Sequence, residues 1–162
     1  MLSNVSVSCG SGSGCTSAVA QVPPNGTSSN ENFTMSYVDI DGLTSTFMSS
    51  SDSLNLDDCS EISWAGLYWS GEIISSVQGY NTRNKVKLRV NSGIYQSMIA
   101  DEMVDAFGIS HPSYHCFKDI TSIVQTAGIK SRFTIADITT QSGNNKFGGW
   151  TIVVVYKNIY NS

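Results

Sequence analysis

Apolar residues recur along this chain at a period of two, the spacing of side chains on a pleated strand. Residues 62–69 (ISWAGLYW) are apolar on both alternating faces: Ile62, Trp64, Gly66 and Tyr68 on one, Ala65, Leu67 and Trp69 with Ser63 on the other. Residues 150–156 (WTIVVVY) have the same character. A strand that is apolar on both faces belongs at the centre of a sheet, so the two stretches are predicted to share a core.

Around them the alternation is one-sided. Val86, Leu88 and Val90 alternate with Lys85, Lys87 and Arg89, and residues 91–93 (NSG) supply a turn back into residues 94–100, which predicts a hairpin with Gly93 free to take a positive φ. Further strands are predicted at Val5 and Val7, over residues 33–40, 44–48, 114–117 and 132–138, and as a short piece within 101–112. The serine-rich residues 49–53 read as a lead-in to a loop at 55–59. Asp119 can cap a short helix carrying Ile120, Ile123 and Val124 and ending at Gly128. Short strands separated by turn signals define an all-β class, expected to be an antiparallel β-sandwich of jelly-roll type with one short helix. Its expected core is Trp64, Leu67, Trp69, Val86, Leu88, Ile135, Trp150, Ile152 and Val154. The length of 162 residues fits a single domain over 1–162, expected to belong to a longer multidomain chain.

Composition narrows the partners. Charged residues make up only 14%, so uncharged polar groups must cover the surface, and the formal net charge of −4 opposes nucleic acid or an anionic membrane as a target. No apolar run approaches the ~20 residues that a membrane-spanning helix needs. The four cysteines form a close pair, Cys9 and Cys15, and a distant pair, Cys59 and Cys116. Without CxxC spacing a zinc site is disfavoured, and disulfides, hence an oxidising compartment, are the expectation; four reduced thiols are the alternative.

Candidate chemistry is sparse. His111 and His115 have helical metal-pair spacing with Asp101, Glu102 and Asp105 nearby, but Pro112 breaks that helix. No nucleophile elbow occurs, and the glycines between Cys9 and Cys15 lack the strand–turn–helix and lysine of a phosphate loop. Asp39, Asp41, Asp57 and Asp58 flank strands in a way that would allow calcium ligation if those strand ends converge. The alternate basic residues Arg83, Lys85, Lys87 and Arg89 read as a solvated strand face. Tyr80, Tyr95 and Tyr114 are candidates for stacking on a sugar ring, against the alternative of local packing. Residues 39–42, 71–84 and 101–112 are the candidate binding loops.

Four ordered motifs carry a resemblance: residues 64–69 (WAGLYW), 114–124 (YHCFKDITSIV), 133–138 (FTIADI) and 148–156 (GGWTIVVVY). Together, over about residues 33–156, they resemble the β-rich domain near the N-terminus of very large secreted bacterial surface proteins, including adhesin-like proteins exported by the type IX route in gliding bacteria. The resemblance implies a non-catalytic module on the cell surface that adheres to a glycan or protein through its end loops, with neighbouring domains in the same chain. It supplies no catalytic residues. A spacer without a ligand and a trimeric fibre tip are the alternatives. Residues 52–54 (DSL) look like the O-glycosylation pattern of such bacteria.

Overall fold

The computed structural model describes residues 2–3, 5–8, 34–106, 112–144 and 146–158. Cys9, Cys15 and His111 lie outside the described residues, as do Phe33 and residues 107–110. The strands are β1 (Leu2–Ser3), β2 (Val5–Ser8), β3 (Thr34–Tyr37), β4 (Ser49–Asn55), β5 (Ser60–Glu72), β6 (Lys85–Val90), β7 (Gln96–Ile99), β8 (Glu102–Ala106), β9 (Ser113–Asp119), β10 (Lys130–Ala136), β11 (Gly143–Asn144) and β12 (Gly148–Asn158). The helix α1 (Thr121–Ala127) lies between β9 and β10.

A five-stranded sheet, ordered β1-β12-β5-β9-β8, faces a four-stranded sheet ordered β4-β10-β6-β7, and a small third sheet joins β11, β3 and β2. All strand pairs are antiparallel. Take β1, β4, β5, β6, β7, β9, β10 and β12 as eight strands. The two main sheets then read first-eighth-third-sixth and second-seventh-fourth-fifth, which is jelly-roll order, with β8 added outside β9.

The core lies between these sheets. From the five-stranded sheet come Ala65, Leu67, Trp69, Tyr114, Cys116 and Trp150, and from the other Val86, Leu88, Met98, Phe133 and Ile135. Ile152 and Val154 are half-buried against it. The long strand β5 is central, between β12 and β9, as its two-faced apolar pattern predicts. Its alternation is broken once: Val155 pairs with Trp64 but Tyr156 pairs with Ile62, so Ser63 is an extra residue, a β-bulge. The bulge turns Ile62 to the core side with Ala65 and Leu67, while Trp64 keeps the alternation of Gly66 and Tyr68, opposite Leu67 and Trp69, and lies on the outer side. Trp64 is therefore a correction to the expected core. Its ring stacks on Phe117 at 6.2 Å, with Tyr68 at 5.1 Å from the same ring. Gly66 makes room for this: a Cβ there would lie 2.5 Å from the Trp64 indole and 2.9 Å from Phe117.

Other departures have local causes. Residues 49–53, read from sequence as a lead-in to a loop, belong to β4, because the full length of β10 pairs with that strand from Ala136–Ser49 to Lys130–Asn55. Residues 44–48 are not a strand. They belong to an irregular segment, residues 39–48, that crosses the outer face of the four-stranded sheet, held where the Lys87 ammonium donates to the Ser45 carbonyl and the Phe47 N–H to Asp137 Oδ1 at 3.0 Å. In the 91–93 turn the positive φ of 50° falls on Asn91 and not on Gly93. Asn91 Oδ1 accepts the Arg132 N–H at 2.9 Å, which compensates for that backbone conformation. The helix ends at Gly128 (φ 88°), and Asp119 Oδ1 accepts the Thr121 N–H at 2.8 Å at its start.

Candidate binding surface

A deep concave feature lies at the end of the four-stranded sheet where β6 begins and β10 finishes. It is a cleft of about 630 Å³ between the covering segment and the 73–84 loop. One wall is aromatic. Tyr37, at the end of β3, and Phe47, in the covering segment, meet edge to face with ring centroids 5.2 Å apart. They remain 41% and 49% exposed, so both rings keep area for a ligand. The Tyr37 hydroxyl donates to the Thr140 carbonyl at 3.0 Å, which fixes that ring.

The floor is polar and charged. Lys85 and Lys87 project from the outer face of β6, and Asp137 follows β10. Asp137 adopts a left-handed backbone (φ 62°), and its carboxylate bridges two elements: Oδ2 pairs with Lys87 Nζ at 2.8 Å and Oδ1 holds Phe47 N–H. The opposite wall is Val77, Gln78, Gly79 and Thr82, from the loop that the sequence singles out as long and polar. That loop contains a single 3₁₀ turn, Tyr80–Thr82. Aromatic faces beside amines, hydroxyls and an amide are the chemistry by which concave sites grip polyhydroxylated ligands.

The tyrosines singled out from sequence lie elsewhere. Tyr114 is in the core at 1% exposure, its hydroxyl donating to the Thr139 carbonyl at 2.7 Å; burial pushes its pKa upward. No face of it is open to a ligand. Tyr80 is half-buried with the Arg83 guanidinium 3.8 Å above its ring. Arg83 itself is no solvated stripe residue: it forms a two-pronged pair with Asp105, at 3.0 and 2.7 Å, and donates to the Tyr80 carbonyl at 2.7 Å. Its own carbonyl accepts the Trp69 indole N–H at 3.1 Å. Tyr95 donates to Asp41 Oδ2 beneath the covering segment, with Arg89 4.6 Å over its ring.

The four candidate calcium ligands do not converge. Asp39 bridges to Ser49 at the start of β4, whereas Asp57 and Asp58 follow its end, more than about 20 Å away at the rise of a β-strand. Asp39 accepts the Ser49 hydroxyl at 2.8 Å, and Asp41 Oδ1 accepts Leu43 N–H at 2.9 Å and the Thr46 hydroxyl at 3.0 Å. Partial burial would raise the Asp41 pKa, but these hydrogen bonds and that from Tyr95 outweigh it and hold the carboxyl below its ordinary value. Asp58 pairs with Lys130. Among the described residues no three His, Cys, Asp or Glu side chains come together as a metal site.

Cys59 and Cys116 are free thiols, which corrects the expectation of disulfides for these two cysteines. Cys59 sits just before β5, while Cys116 pairs with Trp69 near the far end of that strand. The rise of the strand separates them by about 30 Å, against the ~7 Å within which two Cα atoms can be bridged.

The residues that line the cleft were mostly invisible to pattern reading. Tyr37 and Phe47 appear as ordinary alternating strand residues, and only the tertiary path of the covering segment makes them neighbours. Beyond the 71–84 loop and the basic residues of β6, which the sequence singles out, a further usable signal is Asp137, an acid ending an apolar strand and of a residue type that tolerates the left-handed backbone. Compared with known proteins, the chain matches no family model, and no curated protein or solved structure shows significant similarity to it.

Proposed function

We propose that this chain is a non-catalytic adhesion module of a secreted bacterial surface protein, and that it takes a carbohydrate in the end cleft. The observation that carries the reading is the exposed Tyr37–Phe47 pair standing over Lys85, Lys87 and Asp137. A sugar ring presents an apolar C–H face to such an aromatic edge while its hydroxyls meet the amines and carboxylate. The low share of charged residues fits an exported β-protein. With Cys59 and Cys116 free, that pair lends no weight to an extracellular location, which rests on the four-motif resemblance and the composition. No helix among the described residues is long and apolar enough to cross a membrane.

Glycan-array screening of the isolated domain, followed by titration calorimetry on any hit, tests the proposal. Phe47→Ala is expected to weaken binding about tenfold, the order of a lost aromatic contact of roughly 1–1.5 kcal/mol. A folded protein that binds no glycan would sink the reading in favour of a spacer module.

A further inference from the structure

The outer face of the four-stranded sheet carries two arginines whose charge meets no counter-charge. Arg83 is paired with Asp105, Lys87 with Asp137 and Lys130 with Asp58. Arg89 and Arg132 belong to no ion pair among the described residues. They stand on neighbouring strands and on the same face. Arg89 lies opposite Thr134, and Arg132 is the next residue along that face, at the diagonal cross-strand spacing of about 7 Å. Arg132 gives its Nε–H and an Nη2–H to the Ser51 hydroxyl, a neutral acceptor, at 2.9 and 2.5 Å. Arg89 Nε is buried and has no hydrogen-bond partner among the described residues, and its guanidinium lies 4.6 Å over the Tyr95 ring. Such an N–H has given up water and received no acceptor in exchange, an arrangement that folded proteins rarely keep without a use for it.

Both guanidiniums line a hollow of about 580 Å³. It lies toward the end of β6, whereas the aromatic cleft lies at its start. Ser51, Asn91 and Ser92 add polar groups to its wall, and Ile40 and Leu43, 49% and 42% exposed, form an apolar lip. Asp41 is the one acid in the lining among the described residues. Donors already in place engage its oxygens: the Tyr95 hydroxyl, the Leu43 N–H and the Thr46 hydroxyl. Set against the two arginines, it leaves the hollow with a single positive charge.

The geometry points to a second binding site here, for the singly charged oxyanion of an acidic sugar, a carboxylate or a sulfate ester. The guanidinium fork matches the paired oxygens of either group. An oxygen held between Arg89 and Arg132 meets donors partly shielded from water, where charge-assisted hydrogen bonds are strongest. A doubly charged phosphate ester would bring one charge more than the hollow balances. The hydroxyls of the ring would meet Ser51, Asn91 and Ser92, and its C–H face Ile40 and Leu43. The site is built from residues other than those of the aromatic cleft and does not depend on a ligand there.

Amide-resolved NMR titration of the whole chain tests the site with four probes: glucuronate, N-acetylglucosamine 6-sulfate, glucose and acetate. An acidic sugar is expected to shift the amides of Leu43, Asn91 and Ser92 saturably, and the tighter of the two identifies the oxyanion. Glucose should leave these amides unmoved, and acetate should bind about tenfold more weakly than the sugar. Arg89→Gln and Arg132→Gln should each weaken the acidic sugar about tenfold, the order of one lost charge-assisted hydrogen bond. Lys157→Gln removes a charge from the other sheet and should change nothing. The amide fingerprint of each variant reports its fold, and the exposed Arg132 carries the test should Arg89→Gln disturb Tyr95. Three results would each overturn the inference: no saturable shift with either acidic sugar, an equal response to glucose, or arginine variants that bind like the wild type. Acetate as tight as the sugar would overturn it too, in favour of a carboxylate on a protein chain. Phe47→Ala reads the aromatic cleft alone, so the two sites succeed or fail separately.

Discussion

The two main sheets share one core but treat their outer faces in opposite ways. The four-stranded sheet presents Lys87, Arg89 and Arg132 outward, and residues 39–48 cross it, tied down where Asp41 accepts from Tyr95, where Asp137 accepts the Phe47 N–H, and where Lys87 donates to the Ser45 carbonyl. The five-stranded sheet presents Trp64, Tyr68, Phe117, Val153 and Val155 outward, and the three aromatic rings pack on one another. A charged face offers fixed partners for backbone groups and so can hold an irregular segment without a strand ladder. An apolar face offers none, and among the described residues no irregular segment is fastened to it by such bonds.

The sharpest way to break this contrast lies within β5, whose two faces serve the two environments. Trp69→Ala removes a side chain only 2% exposed and leaves the Arg83 carbonyl without its indole donor, at an expected cost of about 3–5 kcal/mol in urea unfolding. Trp64→Ala should cost roughly 1–1.5 kcal/mol, the worth of its aromatic contact. Equal losses would show that the outer aromatic cluster is as much a part of the core as Trp69.

Next in size is the buried pair that ties β8 to the loop. Asp105→Ala leaves the Arg83 guanidinium without its counter-charge, and a loss of about 3 kcal/mol is expected, discounted toward 2 because both side chains keep some solvent contact. Replacing Asp105 by Asn keeps one hydrogen-bond acceptor and should recover part of it.

On the covered face, Asp137→Ala should cost about 2 kcal/mol, since it removes the Lys87 pair and places a side chain other than Asn, Asp or Gly at a φ of 62°. Asp137→Gly keeps the backbone and should cost roughly 1 kcal/mol less. If the two variants match, the left-handed conformation contributes nothing to the anchoring.

A smaller effect follows from Asp41, whose folded pKa lies below its ordinary value through hydrogen bonds to the ionised form. Its contribution is fully present above the unfolded pKa of about 3.9 and is lost as pH falls through the lower folded value. Asp41→Asn should therefore flatten the acid side of the stability curve while speeding amide exchange at Leu43. Smallest of all is the thiol contrast. Burial pushes the Cys116 pKa up to about 12, so a thiol reagent at pH 8 should modify the half-exposed Cys59 first and reach Cys116 only on unfolding.

Much of the fold was legible because it follows from local alternation. The hairpin of β6 and β7, the two-faced strands β5 and β12 and the helix after Asp119 were all readable, since each has one apolar pattern that only one environment satisfies. β4 was not. Its serines have no apolar period, and seven residues become a strand only because β10 offers them a ladder. The candidate site was less legible still. Tyr80, Tyr95 and Tyr114 look alike in sequence, yet one stacks under a guanidinium, one is covered and one is core.

By itself the sequence determined the class, an antiparallel sandwich built on ISWAGLYW and WTIVVVY, because side-chain alternation is a property of neighbouring residues. Only the tertiary structure decided which way Trp64 faces, that Cys59 and Cys116 stand a strand-length apart, and that Tyr37 meets Phe47 above Asp137. A single bulge at Ser63 moves Ile62 off the face of Trp64 without changing composition, and contacts between distant segments depend on register and path, which no period along the chain records.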